Sequence, residues 1–111
     1  MDGTELANRY FAHIRDRNLD GLIAFFAEDA TMKLPDGREF CGVAAIRAMY
    51  HSLFAAQSPS PNPVTVVAGA QQLATEIEAH LPNGTVRRTA NFFLLDSQGR
   101  IKRLNIYARG G

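Results

Sequence analysis

The chain has 111 residues, enough for one domain with a modest core, because a chain of this size buries roughly 65% of the surface its unfolded form exposes. Its net charge is +1, and its acidic and basic residues are scattered, which leaves no electrostatic footprint for nucleic acid or an anionic membrane. No apolar run approaches the roughly 18 residues needed to span a bilayer, and Met1-Asp2-Gly3-Thr4-Glu5 lacks a basic segment followed by an apolar one, so a soluble cytoplasmic protein is expected.

From Thr4 to Arg17, apolar residues at Leu6, Ala7, Tyr10, Phe11 and Ile14 follow the three-and-four spacing of an amphipathic helix, with Tyr10 in the middle of the buried stripe. Asn18 is placed to cap a second helix whose apolar face is Leu19, Leu22, Ile23 and Phe26, ended by Glu28-Asp29. Thr31 to Leu34 reads as a strand with Met32 and Leu34 facing inward. Pro35-Asp36-Gly37 is a turn signal, Cys41 reads as a small buried residue, and Gly42 opens a third helix carrying Val43, Ile46, Tyr50, Leu53 and Phe54. Tyr50 is thus a second inward tyrosine. The three histidines are dispersed and have no cysteine partner, so neither a metal site nor a cofactor is expected.

Ser58-Pro59-Ser60-Pro61-Asn62-Pro63 reads as a stiff connection. A sheet follows. Val64 to Ala68 is a strand, and Leu73 to Leu81 pairs with Thr85 to Leu95 across Asn83-Gly84, a two-residue hairpin signal. Asp96-Ser97-Gln98-Gly99 turns into a last strand from Arg100 to Ala108. Three helices followed by antiparallel strands give the α+β class. A two-residue loop would pair Leu81 with Val86, His80 with Arg87, Glu78 with Thr89 and Glu76 with Asn91. One face would then carry Glu76, Glu78, His80, Arg87, Thr89, Asn91, Phe93 and Leu95, while the other would carry Ile77, Ala79, Leu81, Val86, Ala90, Phe92 and Leu94. As in any one-sided antiparallel sheet, the apolar face would pack on the helices and the polar one would meet water.

The run from Asn18-Leu19-Asp20-Gly21 through Phe25-Phe26-Ala27-Glu28-Asp29-Ala30-Thr31 to Gly42-Val43-Ala44-Ala45-Ile46-Arg47 resembles the start of nuclear transport factor 2-like domains. Within that superfamily it is most similar to the ketosteroid isomerase and SnoaL-like polyketide cyclase branches. The resemblance implies one cone-shaped α+β domain over residues 1–111, with three N-terminal helices packed on a curved antiparallel sheet around a pocket. It also implies the opposite use of the sheet: Asn91-Phe92-Phe93 takes the place of an acid-containing stretch whose first residue points into the pocket. The polar face would then be inside, and the apolar face would form a homodimer interface.

In ketosteroid isomerases a tyrosine and a protonated aspartic acid donate to the substrate oxyanion while a first-strand aspartate moves the proton. By resemblance Tyr10 matches the oxyanion tyrosine, Tyr50 the tyrosine that supports it, and Asn91 stands in place of the protonated acid. Leu34 falls where the catalytic aspartate belongs. Glu76 or Glu78 is the expected substitute base, and His13, one turn from Tyr10, is another candidate. Phe26, Met32, Leu34, Phe54, Arg87, Thr89 and Phe93 are expected around the substrate, a small apolar molecule. The leading expectation is an isomerase-like or cyclase-like enzyme on an apolar carbonyl compound. An epoxide-hydrolase-like enzyme using Arg87, Asn91 and Glu76 and a non-catalytic dimeric ligand-binding or protein-interaction domain are the alternatives.

Overall fold

The computed structural model describes residues 2–56 and 60–109; Ser58 and Pro59 of the proline-rich connection lie outside them. Helix α1 (Gly3–Asp16) begins where the Asp2 carboxylate accepts the Glu5 N–H at 2.8 Å, and it buries Leu6, Ala7, Tyr10, Phe11 and Ile14. After it, the Asn18 side chain accepts the Gly21 N–H at 3.0 Å and opens α2 (Leu19–Ile23). This helix is shorter than its apolar spacing suggests. Phe26, Glu28 and Asp29 belong instead to strand β1 (Phe26–Lys33), because the chain is captured by the C-terminal strand: the Ile101 N–H donates to the Phe25 carbonyl at 2.7 Å, and Phe26 pairs with Ile101.

The Pro35-Asp36-Gly37 turn forms as expected, closed by the Gly37 N–H on the Leu34 carbonyl at 2.9 Å. It leads into β2 (Glu39–Cys41), a three-residue edge strand too short to show a pattern in the sequence. Phe40 takes the half-buried position there and Cys41 is exposed, which corrects its reading as a buried residue. Gly42, at φ +87°, where side-chain-bearing residues are strained, opens α3 (Val43–Ala55) with Ile46 and Tyr50 buried. From Ser60 the proline-rich segment is a strand, β3 (Ser60–Ala68), rather than a connection. Its prolines are tolerated because β3 lies at a sheet edge, and the pairing shifts between Pro63 and Thr65.

Strands β4 (Gln72–His80), β5 (Val86–Leu95) and β6 (Ile101–Ala108) complete one curved sheet of order β2-β1-β6-β5-β4-β3. It is antiparallel except where β1 runs parallel to β6. The helices cover one face, α1 over β3 and β4 and α3 over β1, with Phe11, Leu22, Ile46, Leu73, Phe93 and Leu104 in the core between. Among the described residues, no helix is long and apolar enough to cross a membrane.

The β4–β5 register is one residue away from the expected one. His80 pairs with Val86, Glu78 with Arg88, Ile77 with Thr89 and Thr75 with Asn91. The cause is Pro82. A two-residue Asn83-Gly84 loop would need the residue at 82 to donate its N–H to the Thr85 carbonyl, and proline has none. Leu81 donates instead at 2.9 Å, and the loop becomes Pro82-Asn83-Gly84. Proline suits its first position, and Gly84 takes the left-handed position at φ +87°. A one-residue shift turns every β4 side chain over relative to β5. Leu73, Thr75, Ile77 and Ala79 therefore share the inner face with Thr89, Asn91 and Phe93, while Glu76, Glu78 and His80 lie outside with Arg88, Ala90 and Phe92.

Truncating Ile77 to alanine is accordingly expected to destabilise the fold by about 2–4 kcal/mol, while Glu78→Ala costs under about 1 kcal/mol. Equilibrium urea unfolding of both variants checks the register, and the reverse order would restore the two-residue loop.

Candidate functional site

Between the helices and the inner face of the sheet lies a cavity of about 1200 Å³. Helix α1 brings Tyr10, Phe11 and Ile14 to its wall, and α3 brings Met49, Tyr50 and Leu53. The sheet contributes Ile77, Ala79, Thr89, Asn91 and Ile106, and the turn after β1 contributes Leu34 and Asp36. Six of the residues singled out from the sequence therefore meet at one cavity: Tyr10, Leu34, Tyr50, Arg87, Thr89 and Asn91.

Four others stand behind that wall. Phe93 and Phe26 set their rings edge-on to Tyr10 at 5.2 and 6.1 Å, and Phe54 packs on Tyr50 at 5.9 Å. Met32 is buried in the core beside them. His13 lies elsewhere: it faces α2, with its ring nitrogen 3.2 Å from the Asn18 amide and its ring 5.5 Å from that of Phe25. Glu76 and Glu78, expected inside, are corrected to the outer face. Glu76 pairs there with Arg109 and Glu78 with Arg88, each at 3.3 Å. The carboxylate, arginine and amide trio of Glu76, Arg87 and Asn91 is thus divided between two faces and is not assembled.

Tyr10 and Tyr50 are 1% and 3% exposed, and their hydroxyls are hydrogen-bonded to each other. Burial, reinforced by the neighbouring Tyr50, pushes the Tyr10 phenol well above its ordinary pKa. Burial also raises Tyr50, and its hydrogen bond with Tyr10 offsets only part of that rise. Both remain neutral donors. Each hydroxyl has one proton, and one proton is spent between them. The accepting hydroxyl keeps its own, with no second protein acceptor among the described residues.

Asn91 is 6% exposed, and its Oδ1 has no hydrogen-bond partner among the described residues. Directly across the ladder the buried Thr75 hydroxyl is also unpartnered. An unpaired buried polar atom costs about 1–3 kcal/mol, so this pair is a strain on the fold unless another molecule satisfies it. Asp36 was not foreseen as a site residue, and it is the one carboxylate on the wall among the described residues. It accepts the Arg38 backbone N–H at 3.0 Å and the Arg38 Nε at 2.8 Å. These contacts, the backbone one foremost, hold its carboxyl below the usual carboxylate range. Its only sequence signal is turn chemistry, which says nothing of a cavity. No group of three His, Cys, Asp or Glu side chains that could hold a metal is gathered among the described residues.

The model of the SnoaL-like domain matches residues 7–104, nearly the whole chain. The chain belongs to the SnoaL-like domain family. A candidate ketosteroid isomerase from Kribbella flavida superposes on this SnoaL-like domain with a TM-score of 0.85 at 18% identity, covering 96% of this chain and 77% of that one. SalBIII, an epoxide hydrolase/cyclase-like enzyme of pyran ring formation in the polyether salinomycin, gives 0.81 at 22% identity, covering 96% and 89%. A candidate polyketide cyclase from Sinorhizobium meliloti gives 0.81 at 24% identity, covering 92% and 93%. At these identities the likeness is one of fold, and it agrees with the cone of helices on a curved sheet expected from the sequence.

The tyrosine pair makes the domain sensitive to alkali. The folded pKa values lie above the unfolded value of 10.0, so unfolded tyrosines ionise first as pH rises. Stability should therefore be intact below that pH and fall as it is passed. Phenolate absorbance is expected to show Tyr10 and Tyr50 ionising only as the protein unfolds, and a Tyr10→Phe variant should lose one of these late-titrating groups.

Proposed function

We propose that the cavity binds a small, largely apolar carbonyl compound and acts on it as an isomerase-like or cyclase-like enzyme. Tyr50 donates to Tyr10, Tyr10 donates its spare proton to the substrate oxygen, and the Asn91 amide, turned to present its NH2, donates to the same oxygen. The observation that carries this reading is the buried phenol pair with one spare proton and no protein acceptor for it among the described residues, set on an apolar wall. Neutral donors aimed at a carbonyl oxygen in a water-poor site favour the enolate over the ketone, because negative charge develops where they point. Asp36 is the carboxylate available on the wall to take up a proton. Its depressed pKa makes it a weak base that stays ionised into acid.

Titration with a phenolic steroid-like analogue, followed by the phenol's ionisation, tests the donors. The bound phenol should ionise well below its solution pKa, and Tyr10→Phe should weaken phenolate binding by about tenfold to a hundredfold, the loss of one hydrogen bond to a charged group. No binding would overturn the reading. Deuterium exchange at the carbons beside a bound ketone, in wild type and Asp36→Asn, then separates enzyme from binding protein. Leu34 on the wall, where the resemblance puts an aspartate, favours the second reading, a non-catalytic pocket protein of the same fold. Exchange no faster than in buffer would establish it.

We also propose that two copies pair through the outer face of the sheet. Val67 and Tyr107 stand on that face 64% and 54% exposed, with Phe92 half-buried between strands and the buried Asn105 Oδ1 unpartnered. Sedimentation should give a dimer that Tyr107→Glu converts to monomer; a monomeric wild type would overturn the proposal.

A further inference from the structure

Four arginines border the apolar cavity. They are Arg38, Arg87, Arg88 and Arg109, with one acidic residue, Asp36, among the described residues, but the guanidinium groups of Arg88 and Arg109 reach glutamates of the outer face. Three of the four arginines are already engaged. Arg38 holds Asp36 at 2.8 Å, and Arg88 pairs with Glu78 at 3.3 Å. Arg109 donates to Glu76 and to the carbonyls of Thr89 and Ile77 at 3.3, 2.9 and 3.1 Å. Arg87 makes no ion pair or hydrogen bond with any described residue. Its place in the register sets it opposite Ala79, on the inner face of β5 that also carries Thr89 and Asn91.

Resting on the pocket reading above, we propose that the substrate of this site carries a carboxylate, held by Arg87, at the end remote from the oxygen that Tyr10 and Asn91 receive. Arg87 and Asn91 lie four residues apart on one face of one strand, about 13 Å at the rise of an extended chain. Between them on the sheet lies Thr89 with Ile77 opposite it, Ile106 faces Asn91, and Ile14 and Leu53 line the same cavity from the helices. The cavity thus reads as a ruler, with neutral donors at its buried end, an aliphatic middle and a cationic fork at its exposed end. A guanidinium accepts a carboxylate through two parallel hydrogen bonds, so its gain is specific to an acid and is lost with an ester of the same carbon skeleton. The substrate class is therefore a long or multi-ring keto acid rather than a neutral ketone.

Calorimetric titration with a mid-chain oxo-stearic acid and with its methyl ester tests this directly. Wild type should bind the acid at least tenfold more tightly than the ester in low salt, with the gap narrowing as salt is added. Arg87→Gln should bind acid and ester alike, Arg87→Lys should keep part of the preference, and Arg88→Gln should keep all of it. Equal binding of acid and ester by wild type, or a preference that survives in Arg87→Gln, overturns the carboxylate assignment and leaves the pocket reading standing. Failure of folded wild type to bind either ligand overturns both.

Discussion

A single missing proton, the amide hydrogen that Pro82 lacks, decides what kind of cavity this protein has. Because Leu81 closes the hairpin in its place, β4 sits one residue away from the register that the Asn83-Gly84 dipeptide advertises. The left-handed position that the longer loop requires falls on Gly84, which adopts it without steric strain. The effect of the shift on the site is large. Two glutamates that would have made the cavity acidic are carried to the far side of the sheet, where arginines meet them, and Ile77 and Ala79 take their places on the wall. An acidic cleft becomes an apolar pocket whose remaining polarity comes from neutral donors and arginine.

Within that pocket the polar groups are few and held at a cost. The tyrosine hydroxyls satisfy each other only in part, and Asn91 and Thr75 face each other across the ladder without satisfying their oxygens. Rings on three sides fix the position of Tyr10: Phe11, Phe26 and Phe93 all meet it edge to face or nearly so. Such packing removes rotameric freedom from the donor before any ligand arrives, which is how a preorganised site differs from a polar group that happens to be buried. The aromatic residues behind the wall therefore take part in recognition without touching the ligand.

The helices were legible because their apolar residues recur at three and four, and the two tyrosines followed from that stripe. Asn91 was legible through the resemblance, as the residue standing in place of an acid. The first and third helices lie where their apolar stripes put them, but α2 gave way early: Ala27 and Ala30 suit either state, and only pairing with β6 makes the segment a strand. Strand β2 has three residues and no alternation to read. The register was misread because a strong dipeptide signal was weighed without the residue before it. For β5 the resemblance pointed to the inner face and the polar pattern to the outer one; Arg87, Thr89, Asn91 and Phe93 share the inner face, as the resemblance implied. Asp36 escaped because a turn residue has no periodicity.

The two rims of the sheet are unlike its faces. One is β2, three residues long, and the other is β3, whose ladder is interrupted by Pro61, Pro63 and a shift in pairing. A rim of that kind offers an incoming strand too few consecutive donors and acceptors to zip onto. The domain is thereby guarded against the edge-to-edge addition through which open sheets grow into fibrils, so its chains can crowd together at high concentration without templating one another.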